Sequence, residues 1–326
     1  VLEEGLYHPD GQILDEVYVW GSFTQSKMYH NDVRCTDCHD AHSLKLRFEG
    51  NELCGQCHRL DTYDSADHHF HKKVVDGKPS DGALCVSCHM PEQPYMVIDW
   101  RADHSIRVPR PDLTLELGTP SACASAGCHE DESDEWNADY YTEWYGKKRR
   151  SHYGTTFASA RAGNPDAGPA LLGLANDPLY PPIVRATALS LLRGYPGDST
   201  TAALRLALQD EGALIRYTAA EAASAPTPQA LVDLLAPLLF DATRAVRGMA
   251  ASRLAGQPEN LFKPYQSEAL DEVLQEYVAS MEYSLDFAFA GHNLGNLYVA
   301  LGDPAATLVE RREVAVEIAR IGFAAG

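Results

Sequence analysis

From about residue 163 onward, apolar positions recur at the three-to-four-residue spacing of one helix face, interrupted by short Pro/Gly/Asp turns. Three segments stand out: Ile183-Val184-Arg185-Ala186, Leu214-Ile215-Arg216-Tyr217 and Ala245-Val246-Arg247-Gly248, whose arginines recur every 31 residues. An aspartate precedes each (Asp177, Asp210, Asp241), and small or apolar residues such as Ala188-Leu189, Ala219-Ala220 and Ala250-Ala251 follow. A constant period of paired helices predicts an α-solenoid over 163–258, each repeat needing neighbours to bury both faces. Residues 265–326 keep helical periodicity but lose the arginine motif. Residues 1–155 show no sustained period and predict short helices with little regular secondary structure. The expected fold class is mainly α, in three regions: 1–155, 163–258 and 265–326.

Composition sharpens the division. A chain of 326 residues with 45% apolar and 22% charged residues can bury a core and is too long for one. Its net charge of -19 argues against a nucleic-acid footprint or a polybasic membrane contact. No run of eighteen apolar residues predicts a transmembrane helix. The chain starts at Val1 without a signal peptide, so a processed or internal start is expected, and Ile321–Gly326 reads equally as a truncation or an end. All eight cysteines, all four tryptophans and twelve of the thirteen histidines precede residue 153. Acidity is spread over both halves; the chemistry is confined to one.

The cysteines are ordered. Three pairs read Cys-x-x-Cys-His: Cys35, Cys38, His39; Cys54, Cys57, His58; and Cys85, Cys88, His89. A fourth is expanded, Cys123-Ala-Ser-Ala-Gly-Cys128-His129. Cys-x-x-Cys-His is the attachment signature of c-type haem, two thiols bonding the porphyrin edge and the adjacent histidine taking the iron. A disulfide framework gives no reason for a histidine after each second cysteine. Two four-thiolate zinc sites would leave those histidines idle, and a thioredoxin-like pair needs a βαβ setting that the pattern lacks. The expectation is four covalently attached haem c groups packed as the hydrophobic interior of the first domain. A c-type haem implies a periplasmic, extracellular or cell-surface location.

The second axial ligand separates function classes. Methionines are too few in this region (Met28, Met90, Met96), whereas His8, His30, His42, His68, His69, His71, His104 and His152 remain after the four proximal ones. The surplus favours bis-histidine irons, with His104, His71, His30 and His42 ranked ahead of His152 and His68, and His8 set aside. Irons closed on both faces imply electron transfer rather than catalysis. A haem left without a second ligand would instead allow an oxidoreductase acting on a small nitrogen or sulfur compound. Arg101, Arg107, Arg110 and Lys45 are candidates for pairing with haem propionates, and Tyr95, Trp100, Tyr140, Tyr141, Trp144 and Tyr145 for walls around the haems. A scaffold in which haems only staple the fold is the third reading.

Val33-Arg34-Cys35-Thr36-Asp37-Cys38-His39-Asp40-Ala41-His42, Cys85-Val86-Ser87-Cys88-His89-Met90-Pro91 and Arg101-Ala102-Asp103-His104-Ser105 resemble the multihaem cytochromes c of the cytochrome c-554 and pentahaem nitrite reductase lineage. The similarity is greatest to secreted members fused to HEAT and tetratricopeptide repeats. The resemblance implies mostly bis-histidine haems, supports His42 and His104 as distal ligands, and implies further haem motifs upstream of Val1. It also implies partners: a redox protein or further copies of a multihaem cytochrome, in a homo-oligomer or filament. The Cys-x-x-Cys-Lys of the nitrite reductases does not occur, which counts against their chemistry. In the second half the Asp/Val-Arg pattern resembles HEAT repeats, whose Asp caps a helix or pairs with Arg between layers. Asn293-Leu294-Gly295-Asn296-Leu297-Tyr298 with Gly302-Asp303 resembles the start of a tetratricopeptide repeat, departing at Thr307. His292 is expected to be structural.

Overall fold

The computed structural model describes residues 1–95, 98–125 and 127–302. The tetratricopeptide departure at Thr307, and the rest of 303–326, lie outside the described residues. The chain groups into two compact units, Val1–Tyr195 and Pro196–Gly326.

In the first unit, the opening segment folds back through a bridge between Tyr7 and Ile13. Leu2, Tyr7, Ile13 and Phe23 are buried. The Leu2 N–H donates to Thr187 Oγ1 at 2.8 Å, and Arg161 donates to the Leu2 carbonyl. Helices Tyr153–Arg161, Ala167–Asn176 and Pro182–Leu191 close this end of the unit around Phe157, Leu171, Val184 and Leu189. Each such side chain contributes about 2 kcal/mol by leaving water. The periodicity from 163 thus begins inside the first compact unit.

The expectation of little regular structure before residue 155 is corrected. Short helices Cys35–Cys38, Glu52–Gly55, Ala66–His69 and Cys85–His89 carry or flank the cysteine motifs. Two antiparallel hairpins follow them in type: Val74–Val75 with Lys78–Pro79, and Glu92–Tyr95 with Asp99–Ala102. Local chemistry explains them. Asp76 and Gly77, at φ 51° and 79°, form the left-handed two-residue turn that suits a hairpin. Pro111 starts helix Pro111–Leu117, and Ser133 caps Asp134–Tyr145 by accepting the Trp136 N–H at 3.2 Å. Nor is the interior left to bound groups alone, since Leu113 and Tyr95 extend the protein core.

That core is uneven, however. Among the described residues between Phe23 and Tyr95, Ala83 and Pro91 are the buried apolar side chains. Polar stitches fix this stretch instead. Asn51 donates to Asp64 Oδ1 at 2.9 Å and to the Ala83 carbonyl at 2.8 Å, and accepts the Cys85 N–H at 2.8 Å. Lys73 adds a 2.7 Å ion pair to Asp64.

The second unit stacks helices Asp198–Ala207, Ala213–Ala222, Pro228–Leu235 and Arg244–Leu254, followed by Pro264–Tyr283 and Ala288–Ala300. Ile215, Ala219, Val232, Leu235, Val246, Ala250 and Leu254 form its interior. The periodic aspartates and arginines lock successive repeats. Arg216 makes two bonds to Asp241, at 2.7 and 3.0 Å, while its other amine donates to the Asp210 and Glu211 carbonyls. Arg247 repeats this one period on, with Glu276 and the Asp241 and Ala242 carbonyls. Asp210 and Asp241 also accept the N–H two residues ahead, at Gly212 and Thr243, and so shape the turn before each helix.

Candidate functional site

The four Cys-His motifs lie next to one another in chain order. The Cys38 and Cys57 thiols influence each other electrostatically, the Cys54 and Cys85 thiols are hydrogen-bonded, and Cys88 faces Cys123 and Cys128. That hydrogen bond pushes the Cys54 thiol up and pulls Cys85 down to about 7, while burial raises Cys88 to about 11.

The histidines are organised in pairs. Rings of His39 and His104 have centroids 6.3 Å apart at 24°, and those of His68 and His89 are 6.3 Å apart at 14°. His71 and His129 are 6.1 Å apart at 42°. These separations lie at the long end of the range for ring–ring contacts. They match two imidazoles facing a single metal ion: a metal–nitrogen bond of about 2 Å on each side, plus the half-width of each ring, spans roughly 6 Å.

Tautomers agree with that geometry. A histidine that donates from Nδ1 to a carbonyl keeps a lone pair on Nε2 for a metal. His39 Nδ1 faces the Leu44 carbonyl at 3.0 Å, His89 Nδ1 that of Arg107 at 2.7 Å, His104 Nδ1 that of Ala102 at 2.8 Å and His71 Nδ1 that of His69 at 2.5 Å. Only the N–H donor role satisfies a carbonyl, which fixes the tautomer. His69 and His152 are the opposite case. Their Nδ1 atoms accept backbone N–H groups, from His71 and Gly154 at 3.1 Å each, so the proton sits on Nε2. His152 caps helix Tyr153–Arg161, and burial holds it near pKa 4.

An aromatic ribbon on helix Asp134–Tyr145 backs two of the pairs. Trp136 lies 4.9 Å from His129, Tyr140 lies 4.3 Å from Trp136, and Trp144 stacks on Phe70 at 5.0 Å and 4°. Trp144 also meets His71 edge-on at 5.6 Å, and the Tyr145 hydroxyl donates to the His68 carbonyl at 2.5 Å. Apolar side chains near the motifs face outward, among them Leu44, Leu46, Phe48, Tyr63, Phe70 and Trp100. Paired imidazoles and outward-facing apolar side chains thus occur in the same stretch of the chain.

Measured against the expected site, the placement is selective. The structure sets His104 opposite His39 and His71 opposite His129. His30 instead turns Nε2 toward the Thr24 carbonyl at 3.2 Å, and His42 sits in the Asp40 turn, its N–H bonded to Asp40 Oδ1. His58 meets Tyr63 edge-on at 6.0 Å. His68, ranked low from sequence, is the partner of His89. The arginines proposed for propionates already have protein partners. Arg107 pairs with Asp103 and Asp10, Arg110 with Asp112, and Arg101 with Asp99 and Glu16.

The expectation of four covalently attached haem c groups, with the metal-binding clusters it implied, is corrected. Among the described residues no group of three or more His, Cys, Asp or Glu side chains is placed to hold a metal ion. All eight cysteines are free thiols, and Cys54 bonds across motifs to Cys85 rather than sharing a site with Cys57. Motif spacing specifies a local turn; it does not specify which thiols the fold draws together. The arrangement the structure supplies is three imidazole pairs.

No helix among the described residues is long and apolar enough to cross a membrane. Comparison with family models, curated proteins and solved structures returned no match.

Proposed function

We propose that the chain transfers electrons through closely spaced bis-histidine haem centres, each seated between one imidazole pair: His39 with His104, His68 with His89, and His71 with His129. The single observation that carries this reading is the recurrence of one geometry, centroids 6.1 to 6.3 Å apart, in three pairs drawn from six separate places in the chain. It rests on the pairs and not on a count of four attachments. Such a group would supply a one-electron iron couple, and two protein imidazoles would hold it, which favours electron exchange over substrate binding.

The protein's own share is orientation. Carbonyls of Leu44, Arg107, Ala102 and His69 fix four imidazoles as Nε2 donors. Trp144 and Trp136 pack against the His71 and His129 rings. Adjacency of the four motifs keeps neighbouring centres close enough for exchange within the unit. The helical repeats offer a rigid surface for a partner, which this reading takes to be a redox protein or another copy of a multihaem cytochrome, in the periplasm or outside the cell. The resemblance to the cytochrome c-554 lineage supports the same assignment.

One observation favours an oxidoreductase alternative: among the described residues His58 packs against Tyr63 and not against an imidazole, so a centre there would have one protein ligand. Stopped-flow mixing of the reduced chain with an oxidised electron-transfer protein tests the principal reading. Rapid reoxidation without any added small substrate is expected. Reoxidation only in the presence of nitrite, hydroxylamine or sulfite would contradict it.

A further inference from the structure

We infer that the loop between His104 and Arg107 is a single positioning device for two of the imidazole pairs, clamped by ion pairs from Arg107 to Asp103 and Asp10. The inference deepens the reading above and depends on it only for its electrochemical arm.

The loop touches both pairs through the backbone. His104, opposite His39, is oriented by the Ala102 carbonyl at the end of strand Asp99–Ala102. His89, opposite His68, is oriented by the Arg107 carbonyl at 2.7 Å, and the Arg107 N–H returns a bond to the His89 carbonyl at 3.0 Å. Arg107 is therefore bonded twice to the histidine of the third motif, while three residues away the same loop carries the partner of the first.

Its side chain explains how the loop holds still. The Arg107 Nε donates to Asp103 Oδ2 at 3.1 Å and to Ser105 Oγ at 2.7 Å. Nη1 donates to the Asp10 carbonyl at 3.1 Å and reaches Asp10 Oδ2 at 3.5 Å. Exposure is 15% for the arginine side chain and 3% and 5% for Asp10 and Asp103, so water competes little with these bonds. Asp103 is itself anchored: its N–H donates to the Pro91 carbonyl and its Oδ1 accepts the Ser105 N–H at 2.8 Å. The opposite anchor, Asp10, accepts the Tyr153 hydroxyl on its carbonyl at 2.7 Å. Burial alone would make the guanidinium easier to deprotonate, but the two carboxylates outweigh it and keep Arg107 charged.

Strain is an independent sign of the clamp. Ile106 has φ of 46°, a region that β-branched residues avoid and that persists only where the surroundings impose it. Its two neighbours are the loop's most tightly bonded residues, Ser105 and Arg107.

The test uses the full chain with Arg107→Gln, Ile106→Gly and, as reference, Arg110→Gln, whose ion pair to Asp112 lies outside the loop. Long-range nitrogen-15 NMR reads the tautomer of each histidine, and a potentiometric titration reads the reduction equilibrium of each centre. For Arg107→Gln the Nδ1–H tautomer of both His89 and His104 is expected to lose about tenfold in preference while His71 keeps its own. Two of three centres are expected to shift about tenfold, about 59 mV for one electron. Equal disturbance of His71, or none at His89 and His104, would overturn the inference. Should Arg107→Gln fail to fold, Ile106→Gly decides. It keeps the ion pairs and removes the strain, so a folded protein whose His89 and His104 hold their tautomers is expected, and a loss at either would refute the ion pairs as what positions them. A wild-type chain with no redox-active centre would end the electron-transfer reading, leaving the tautomer result to judge the clamp alone.

Discussion

The repeat lock of the second unit yields a prediction with a size. Asp241→Ala removes the two-pronged partner of Arg216 at a site where the carboxylate is 7% and the guanidinium 16% exposed. Stranding a buried charge in this way costs about 3 to 5 kcal/mol. Here the arginine retains the Asp210 and Glu211 carbonyls, each at 2.8 Å, and some water, which brings the loss to or below the lower edge of that range, about 2 to 3 kcal/mol. A fall in melting temperature of roughly 10 °C should accompany it. Arg247→Ala is the internal comparison. Its partner Glu276 is 41% exposed, and screening by solvent makes that pair the weaker of the two. The difference also depends on pH. Its bond to Arg216 holds the Asp241 carboxyl below its ordinary value of 3.8, so the pair stabilises the fold above that value and loses its contribution as pH falls through the depressed folded-state value. Urea denaturation of wild type and both variants at pH 7 and in strong acid reads all of this. Equal losses for the two variants at pH 7, or a gap that widens in acid, would refute the reasoning.

Three further outcomes follow. Gly256→Ala should destabilise the second unit by about 3 kcal/mol or more, because φ is 74° and an added Cβ would lie 1.9 Å from the Ala300 carbonyl oxygen, a clash with backbone; chemical denaturation measures it. Tyr145→Phe removes the hydroxyl bond to the His68 carbonyl and should cost about 1 kcal/mol, with the signal of the His68 and His89 pair altered more than that of His39 and His104. Replacing His68, His71 or His104 with Ala should each convert one low-spin centre to high spin in the optical spectrum, whereas His152→Ala should leave all three low-spin and weaken the helix cap by about 1 kcal/mol.

Repeats were legible because a solenoid writes its period into sequence: Arg185, Arg216 and Arg247 announce it, and the aspartates mark the turns. Which acid each arginine grips was less legible, since Arg216 bonds the side chain of the next repeat's Asp241 but only the carbonyl of Asp210. Among the histidines, spacing singles out the ones after each cysteine pair. It does not rank His68, His69 and His71, because helix Ala66–His69 ends at Phe70 in a left-handed conformation, φ 57°, after which His71 folds back to bond His69 through its N–H and Nδ1. His30 and His42 lie near the first motif along the chain, where His30 Nε2 meets the Thr24 carbonyl and the His42 N–H bonds Asp40 Oδ1.

Other signals were present and passed over. Asp76-Gly77 marks the first hairpin. Asp99 beside Arg101, Asp103 four residues before Arg107 and Asp112 beside Arg110 show in sequence that those arginines have carboxylates at hand. The link from Arg107 to Asp10 was beyond reach, because it joins positions far apart in the chain and depends on where Tyr153 anchors the opening segment.

Electron paramagnetic resonance of the oxidised chain at low temperature reads the axial ligands directly. The account predicts low-spin ferric signals of the bis-imidazole type, with the nearly parallel His68 and His89 rings giving a different anisotropy from the His71 and His129 rings at 42°. A chain without iron signals, or one dominated by high-spin iron, would contradict it.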